Sequence, residues 1–302
     1  MCRARGETVK ALVTGSAGFL GRHIATRLRD EGWEVTAFDL EPTNIDGVQS
    51  IIGDLRDAGA VTSAATGHEV VCHVGAIGDV YLAGEQPALA AGVNVVGSAN
   101  VASAAEQAGA RVVYASTWEV YGEPLYEPLD EKHPTAPDHP YNITKLGGEQ
   151  LLMAADRLRG LPVLSLRLGT AYGRGLRPNS VFRIFIDRAR RHEPITILGD
   201  GSQGRQFTHT GDIAEAFVLA CAADVHGMTL NVVSPRSVSI RELAELVTAR
   251  YPTRLTFGDP RPGDVPSAIV SASKIADVLG WKAATRFEDG LDDLMDAIEA
   301  DE

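Results

Sequence analysis

Between Ser116 and Lys145 the chain gathers a hydroxyl, a carboxylate, tyrosines and a lysine. It reads Ser-Thr-Trp-Glu-Val-Tyr-Gly from Ser116 to Gly122, then Tyr-Asn-Ile-Thr-Lys from Tyr141 to Lys145. Tyr141 and Lys145 stand four apart at the start of a predicted helix, a spacing that puts both side chains on one face. An ammonium beside a phenol stabilises the phenolate and draws its pKa from about 10 toward neutrality, where it serves as a general base. Spacing alone is a weak signal: with 7 tyrosines and five lysines, about 0.1 such pairs are expected by chance. The elements that would position these residues therefore decide the reading.

Composition sets the bounds. The 302 residues are 44% hydrophobic, enough for one large or two ordinary domains with an ample core. A formal charge of −12 argues against a broad nucleic-acid footprint, although local arginines could still hold a phosphate. Cys2, Cys72 and Cys221 are odd in number and lack metal spacing, and the last two sit in apolar segments, so free thiols in a reducing cytoplasm are expected. Met1 to Lys10 is polar and basic with no apolar signal core, and no run approaches eighteen apolar residues, so no membrane span is expected. The eight histidines show no ligand spacing, and no metal is expected; His73 and His209 read as structural imidazoles.

Taken in order, Ala11 to Val13 is a buried strand. The segment from Thr14 to Gly21 then turns into a helix running to about Glu31, with glycines spaced G-x-x-G-x-x-G. Gly15 permits the tight turn, Gly18 lets backbone approach a pyrophosphate, Gly21 seats helix on strand, and the helix N-terminus attracts the anion. A second strand, Glu34 to Phe38, ends at Asp39, where an acid binds adenosine ribose hydroxyls. Leu40 follows with no adjacent arginine, which favours NAD over NADP. Val48 to Ile52 is a third strand, with Asp54 and Leu55 just after it; Asp54 either reaches the adenine or caps the following helix, and Leu55 packs on the base.

Val70 to Val74 is a fourth strand, and Pro87 to Ala108 is a long amphipathic segment that serves as core or as a dimer seam. Arg111 to Ala115 is a fifth strand that delivers Ser116 and Thr117 to the carboxyl edge of the sheet, where ligands bind in open α/β folds. The proline-rich stretch from Gly122 to Pro140 is irregular, a helix runs from Tyr141 to about Arg159, and Val163 to Leu168 is a further strand. This alternation predicts a Rossmann-type, doubly wound parallel sheet over residues 1–169, with a smaller α+β substrate domain over 170–302. A helix from Gly211 to Cys221, with a nearby strand, is expected to return to the first domain.

With the glycine turn, Asp39, Thr117 and Tyr141/Lys145 in order, the chain resembles the extended short-chain dehydrogenase/reductases, specifically the NAD-dependent epimerase/dehydratase family acting on nucleotide sugars. Two further landmarks carry the resemblance: Gly199 to Phe207 (Gly-Asp-Gly-Ser-Gln-Gly-Arg-Gln-Phe) and Arg261-Pro262-Gly263-Asp264. The resemblance implies NAD as cofactor, held by Gly15, Gly18, Phe19, Leu20, Gly21, Asp39, Asp54, Leu55, Asn94, Tyr141 and Lys145. It implies a nucleoside diphosphate on Arg205 and Arg261, with Asp264 near its ribose and Thr170 at a position where relatives carry a substrate-holding asparagine. It also implies oxidation at sugar C4 by Thr117, Tyr141 and Lys145, and a homodimer joined through Pro87 to Ala108 and Tyr141 to Arg159.

Trp118 and Glu119 divide the outcomes after that oxidation. Relatives that dehydrate carry an aspartate where this chain has Trp118, and indole has no proton of useful acidity. Glu119 matches a glutamate used by decarboxylases and dehydratases. The leading expectation is a nucleotide-sugar 4-epimerase acting on a UDP-hexose or UDP-hexuronate; a UDP-glucuronate decarboxylase or atypical dehydratase using Glu119 is the alternative. A third class is a catalytically silent dinucleotide-sensing protein.

Overall fold

A computed structural model describes residues 8–260 and 268–300. The apolar run of β1 (Lys10–Thr14) is buried along its length after Lys10, as a central strand covered on both faces must be. It leads through the glycine turn into α1 (Phe19–Asp30), then β2 (Glu34–Asp39), β3 (Gln49–Ile52), α2 (Ala58–Ala65) and β4 (Val70–His73). After α3 (Val80–Glu85) comes one long helix in three pieces: α4 (Pro87–Ala91), a π turn (Gly92–Val96) and α5 (Gly97–Ala108). By length and composition Pro87–Ala108 is apolar enough to cross a membrane, yet Ala90, Val101, Ala102 and Ala105 are buried in this fold and α5 packs on α2 and α6 (Pro140–Arg159). One face of it is packed into the protein core.

Between α5 and α6 lie β5 (Arg111–Thr117) and a 3₁₀ turn (Trp118–Tyr121). The strand extends past Ala115, so Ser116 and Thr117 are its last two residues rather than a loop beyond it. Next come β6 (Val163–Leu168), β7 (Thr170–Tyr172), α7 (Val181–Arg190), β8 (Ile195–Leu198), β9 (Gly204–Arg205), β10 (Phe207–His209) and α8 (Thr210–Ala222). The chain closes with β11 (Met228–Val232), β12 (Val238–Ser239), α9 (Ile240–Arg250), β13 (Leu255–Gly258), α10 (Ser273–Leu279) and α11 (Phe287–Ala300).

Seven strands form one parallel sheet in the order β11-β6-β5-β4-β1-β2-β3. The direction of winding reverses between β1 and β4, which opens a crevice at their carboxyl ends, the place where doubly wound sheets bind ligands. One apolar layer joins α1, α8 and α10 to the sheet, and the other joins α2, α5 and α6. Residues after 209 complete this sheet: α8 packs on α1, fastened by Arg27 to Glu215 at 2.7 Å, and β11 pairs with β6. A third core, centred on Tyr172, Phe182, Phe207 and Phe287, holds three two-stranded ladders and α7, α9 and α11 together.

Candidate active site

The crevice is a cleft of about 760 Å³ that runs from Gly15 to Tyr141 and Arg177. Its first wall is backbone. Gly15 adopts φ +71°, and a side chain there would meet Gly75 Cα at 2.5 Å. At Gly21 a Cβ would lie 2.0 Å from Gly15 O, so the helix seats on the turn only without one. The α1 helix has no side-chain cap at Gly18, which leaves its first amides free to meet an anion. Phe19 and Leu20 begin that helix and line the cleft with Gly18 and Gly21. Asp39 is fixed at the end of β2, its carboxylate accepting from Ala17 N (2.9 Å) and Leu40 N (2.7 Å) with lone pairs left toward the cleft. A dinucleotide fits this wall, because the turn excludes side chains where a pyrophosphate would lie and an acid waits one strand away.

Two expected cofactor residues behave differently. Asn94 does not line the cleft: it is buried, accepting from Ile77 N (2.7 Å) and donating to Ile77 O (3.2 Å) and Thr144 Oγ1 (2.9 Å). Its amide groups are spent bracing the loop after β4 against α6, so it shapes the cleft from behind. Asp54 does reach the cleft wall, but its carboxylate is held by the Arg56 guanidinium and amide, and Asp57 is the residue that caps α2. The guanidinium holds Asp54 below the usual carboxylate range. Leu55 is buried and lines the cleft beside Gly75.

At the far end Thr117, Glu119, Tyr141 and Lys145 share the wall. Helix α6 starts with Pro140 at its first position, and His139 accepts from Tyr141 N at 3.2 Å, which fixes where Tyr141 leaves the helix. Thr117 Oγ1 accepts from Glu119 N at 3.3 Å, turning the chain sharply after the strand. Lys145 is 3% exposed, with Nζ 4.3 Å from the centroid of the Tyr114 ring. Burial lowers its pKa to about 7, partly offset by the Glu149 carboxylate.

The expected lowering of the Tyr141 pKa by Lys145 is not what the site does. The phenol is pushed up, first by lost solvation deep in the cleft and then by the Glu119 carboxylate. Arg177 and a hydrogen bond from the Thr117 hydroxyl pull it back down. The physical reason is that desolvation disfavours both charged partners, phenolate and ammonium alike. Glu119 itself is raised by burial and lowered by Arg205.

Trp118, adjacent to Thr117, is 6% exposed and packs with Tyr121, Leu129, Val233, Ala268 and Val270 while its edge reaches the cleft. Thr170 opens β7 on the same wall. Arg205, on β9, lines a separate small cavity behind Trp118 instead of the large cleft, its Nη1 donating to Gly204 O at 2.8 Å. Arg261 and Asp264 lie outside the described residues. His73 is a buried brace between Thr14 Oγ1 (2.9 Å) and Ser98 Oγ (3.0 Å), and His209 caps α8.

Sequence reasoning left Arg177 undistinguished among the arginines and passed over Asp79, both of which line the cleft. The signal for Asp79 was present: an aspartate directly before a helical run is an N-cap, and it accepts from Tyr81 N and Leu82 N.

The sequence profile described as the NAD dependent epimerase/dehydratase family matches residues 11–232. A putative UDP-glucose 4-epimerase of Methanocaldococcus jannaschii is 31% identical over 293 residues, covering 93% of this chain and 95% of that protein. A UDP-glucose 4-epimerase of Mycolicibacterium smegmatis is 30% identical, covering 94% and 96%. Among solved structures, MoeE5 in complex with UDP-glucose and NAD aligns with a TM-score of 0.90 at 33% identity, over 97% of this chain and 99% of that one. MoeE5 was also solved with UDP-glucuronic acid and NAD.

Proposed function

The chain belongs to the NAD dependent epimerase/dehydratase family, and on that premise we propose that it is a nucleotide-sugar 4-epimerase acting on a UDP-hexose or UDP-hexuronate. One observation carries the reading. Thr117, Tyr141 and Lys145 converge on the cleft that begins at the glycine turn, while the residue beside Thr117 is an indole without a proton to give.

When bound, NAD supplies the acceptor and donor of the C4 hydride. Gly15, Gly18, Asp39 and the first amides of α1 would hold its adenosine and pyrophosphate, and Tyr141 and Lys145 its nicotinamide ribose. Tyr141, as phenolate, takes the proton from O4, and Thr117 hydrogen-bonds the same oxygen. Arg177 and the Thr117 hydroxyl favour that phenolate against burial, and Lys145 would add to them when it carries its proton. Once the 4-keto sugar has turned over and been reduced on its opposite face, Tyr141 returns the proton to O4. Trp118 offers no acid for expulsion of a hydroxyl, so elimination lacks its proton donor.

Two observations bear on the sugar. MoeE5 binds both UDP-glucose and UDP-glucuronic acid. Arg177 stands on the wall that carries Tyr141, and its guanidinium, paired with Asp79 at 3.1 Å through one nitrogen, has further N–H groups that suit a substrate with a carboxylate at C5. The nucleotide is assigned to residues 170–302. A second reading, decarboxylation of UDP-glucuronate, is favoured by Glu119 on the same wall.

We also propose a cytoplasmic homodimer, formed through the outer faces of the helix Pro87–Ala108 and of α6, where Val96 of the π turn and Ile143, Leu151 and Leu158 of α6 are exposed. The test is product analysis by mass spectrometry and NMR after incubation with UDP-glucose, UDP-galactose and the two uronates. Unchanged mass with inversion at C4 supports epimerisation. Loss of carbon dioxide, or of water, overturns it in favour of a lyase.

A further inference from the structure

The cleft is crossed by a strap. From Gly173 to Ser180 the chain passes from β7 to α7, and two anchors hold it down. Near its start, Arg174 pairs with Asp293 and its carbonyl oxygen meets His23 Nε2 at 2.8 Å. Farther on, Arg177 Nη1 lies 3.1 Å from Asp79 Oδ2, and Asn179 Nδ2 donates to the same oxygen at 3.1 Å. Asp79 belongs to the opposite bank, in the loop after β4, where its other oxygen caps α3 by accepting from Tyr81 N (2.9 Å) and Leu82 N (3.1 Å). Its two oxygens thus divide the work: one fixes its own helix, the other holds the strap.

The strap lies over chemistry. Leu176 and Arg177 from the strap, and Asp79 and Leu82 from the far bank, line the same cleft as Tyr141 and Lys145. Gly173 at φ 145° and Gly175 at φ 78° flank its first anchor, in backbone conformations that only glycine adopts without strain. We propose that Asp79 is a positioning residue: it latches Arg177 and Asn179 across the cleft, closing the strap over the bound sugar and nicotinamide so that the oxidised sugar stays in place until it is reduced. Arg177 held this way also keeps its charge close enough to lower the Tyr141 pKa.

The retention role rests on the epimerase reading, because an enzyme that oxidises and then re-reduces one molecule gains from not losing it midway. The latch itself does not, and the test separates the two. Asp79→Asn keeps a good helix cap and removes the charge that holds Arg177. The first measurement is the release rate of UDP and of NAD from the full-length protein, by displacement in a stopped-flow instrument. Asp79→Asn is expected to speed release by about fivefold, the upper end of what an exposed ion pair contributes. It should add little in an Arg177→Gln background, where the pair is already broken. Asp296→Asn, which loosens an exposed pair with Arg250 far from the cleft, should leave release unchanged.

The second measurement is the near-ultraviolet absorbance of reduced nicotinamide during incubation with nucleotide sugar. In Asp79→Asn it should accumulate with turnover, because the 4-keto sugar escapes before reduction, and Asp79→Glu should restore part of the retention. Unchanged release in Asp79→Asn, or effects that simply add to those of Arg177→Gln, would overturn the latch. Faster release with no turnover of any nucleotide sugar by the wild type would keep the latch and reject the epimerase reading. Faster release with normal turnover and no reduced nicotinamide would overturn retention.

Discussion

The two ends of the cleft are built from different materials. At the dinucleotide end the wall is backbone: a glycine turn, the first amides of a helix, and one carboxylate at the end of the next strand. At the sugar end the wall is side chain, brought from β5, α6, the loop after β4 and the strap after β7. A backbone wall depends on where the chain goes, which parallel βαβ winding fixes. A side-chain wall depends on which distant segments meet, and a single replacement there changes the chemistry without disturbing the fold.

The comparison can be broken most sharply at Tyr141. Tyr141→Phe keeps the ring but removes the proton carrier, so kcat should fall about a thousandfold while NAD affinity, measured by titration calorimetry, changes little. If NAD binding collapsed as well, the two ends would not be separable. The converse variant is Gly15→Ala. Its φ of +71° and the 2.5 Å approach to Gly75 predict a stability loss of about 2 kcal/mol or more and loss of NAD binding, visible in thermal melts that no longer respond to NAD.

Trp118 tests whether the sugar wall is also structural. Since the indole packs in an apolar cluster, Trp118→Ala should cost about 3 to 5 kcal/mol, whereas Trp118→Phe should fold and retain C4 inversion. Denaturant melts read the first and NMR the second.

Lys145 gives a subtler signature. Its pKa falls from an ordinary 10.5 to about 7 in the folded chain, so between those values the unfolded chain binds more protons than the folded one. Stability should therefore rise as pH climbs from about 7 toward 10, and Lys145→Met should flatten that rise in pH-dependent unfolding. The smallest effect is expected at Glu119. Glu119→Gln removes an anion that raises the Tyr141 pKa, so the ascending limb of kcat/KM against pH should move to lower pH. An outright loss of activity would favour the decarboxylase reading.

Legibility followed separation along the chain. The G-x-x-G-x-x-G turn, the acid at Asp39 and the Tyr141/Lys145 pair are short-range patterns, and each lies on the cleft wall. The placement of Asn94 was not legible because sequence cannot say which way a buried amide points: its hydrogen bonds go to Ile77 and Thr144. The phenol's acidity was misjudged because a cation four residues away is visible in the sequence and the depth of burial is not. Arg177 and Asp79 stand far apart along the chain and meet only when the strap folds over.

The closing of the sheet by β11 carries a consequence for how the enzyme comes into being. The strand that pairs with β6 and the helix that covers α1 are both made after residue 209, and the floor under Trp118 includes Ala268 and Val270. From the making of β6 (Val163–Leu168) until β11 (Met228–Val232) follows it, the nascent chain therefore has an unfinished sheet edge at β6, the kind of edge that invites wrong pairing. The reactive end of the cleft is complete only once Ala268 and Val270 have joined the floor under Trp118. A fragment ending at residue 169 would lack both β11 and α8, leaving the β6 edge unpaired and one face of α1 uncovered.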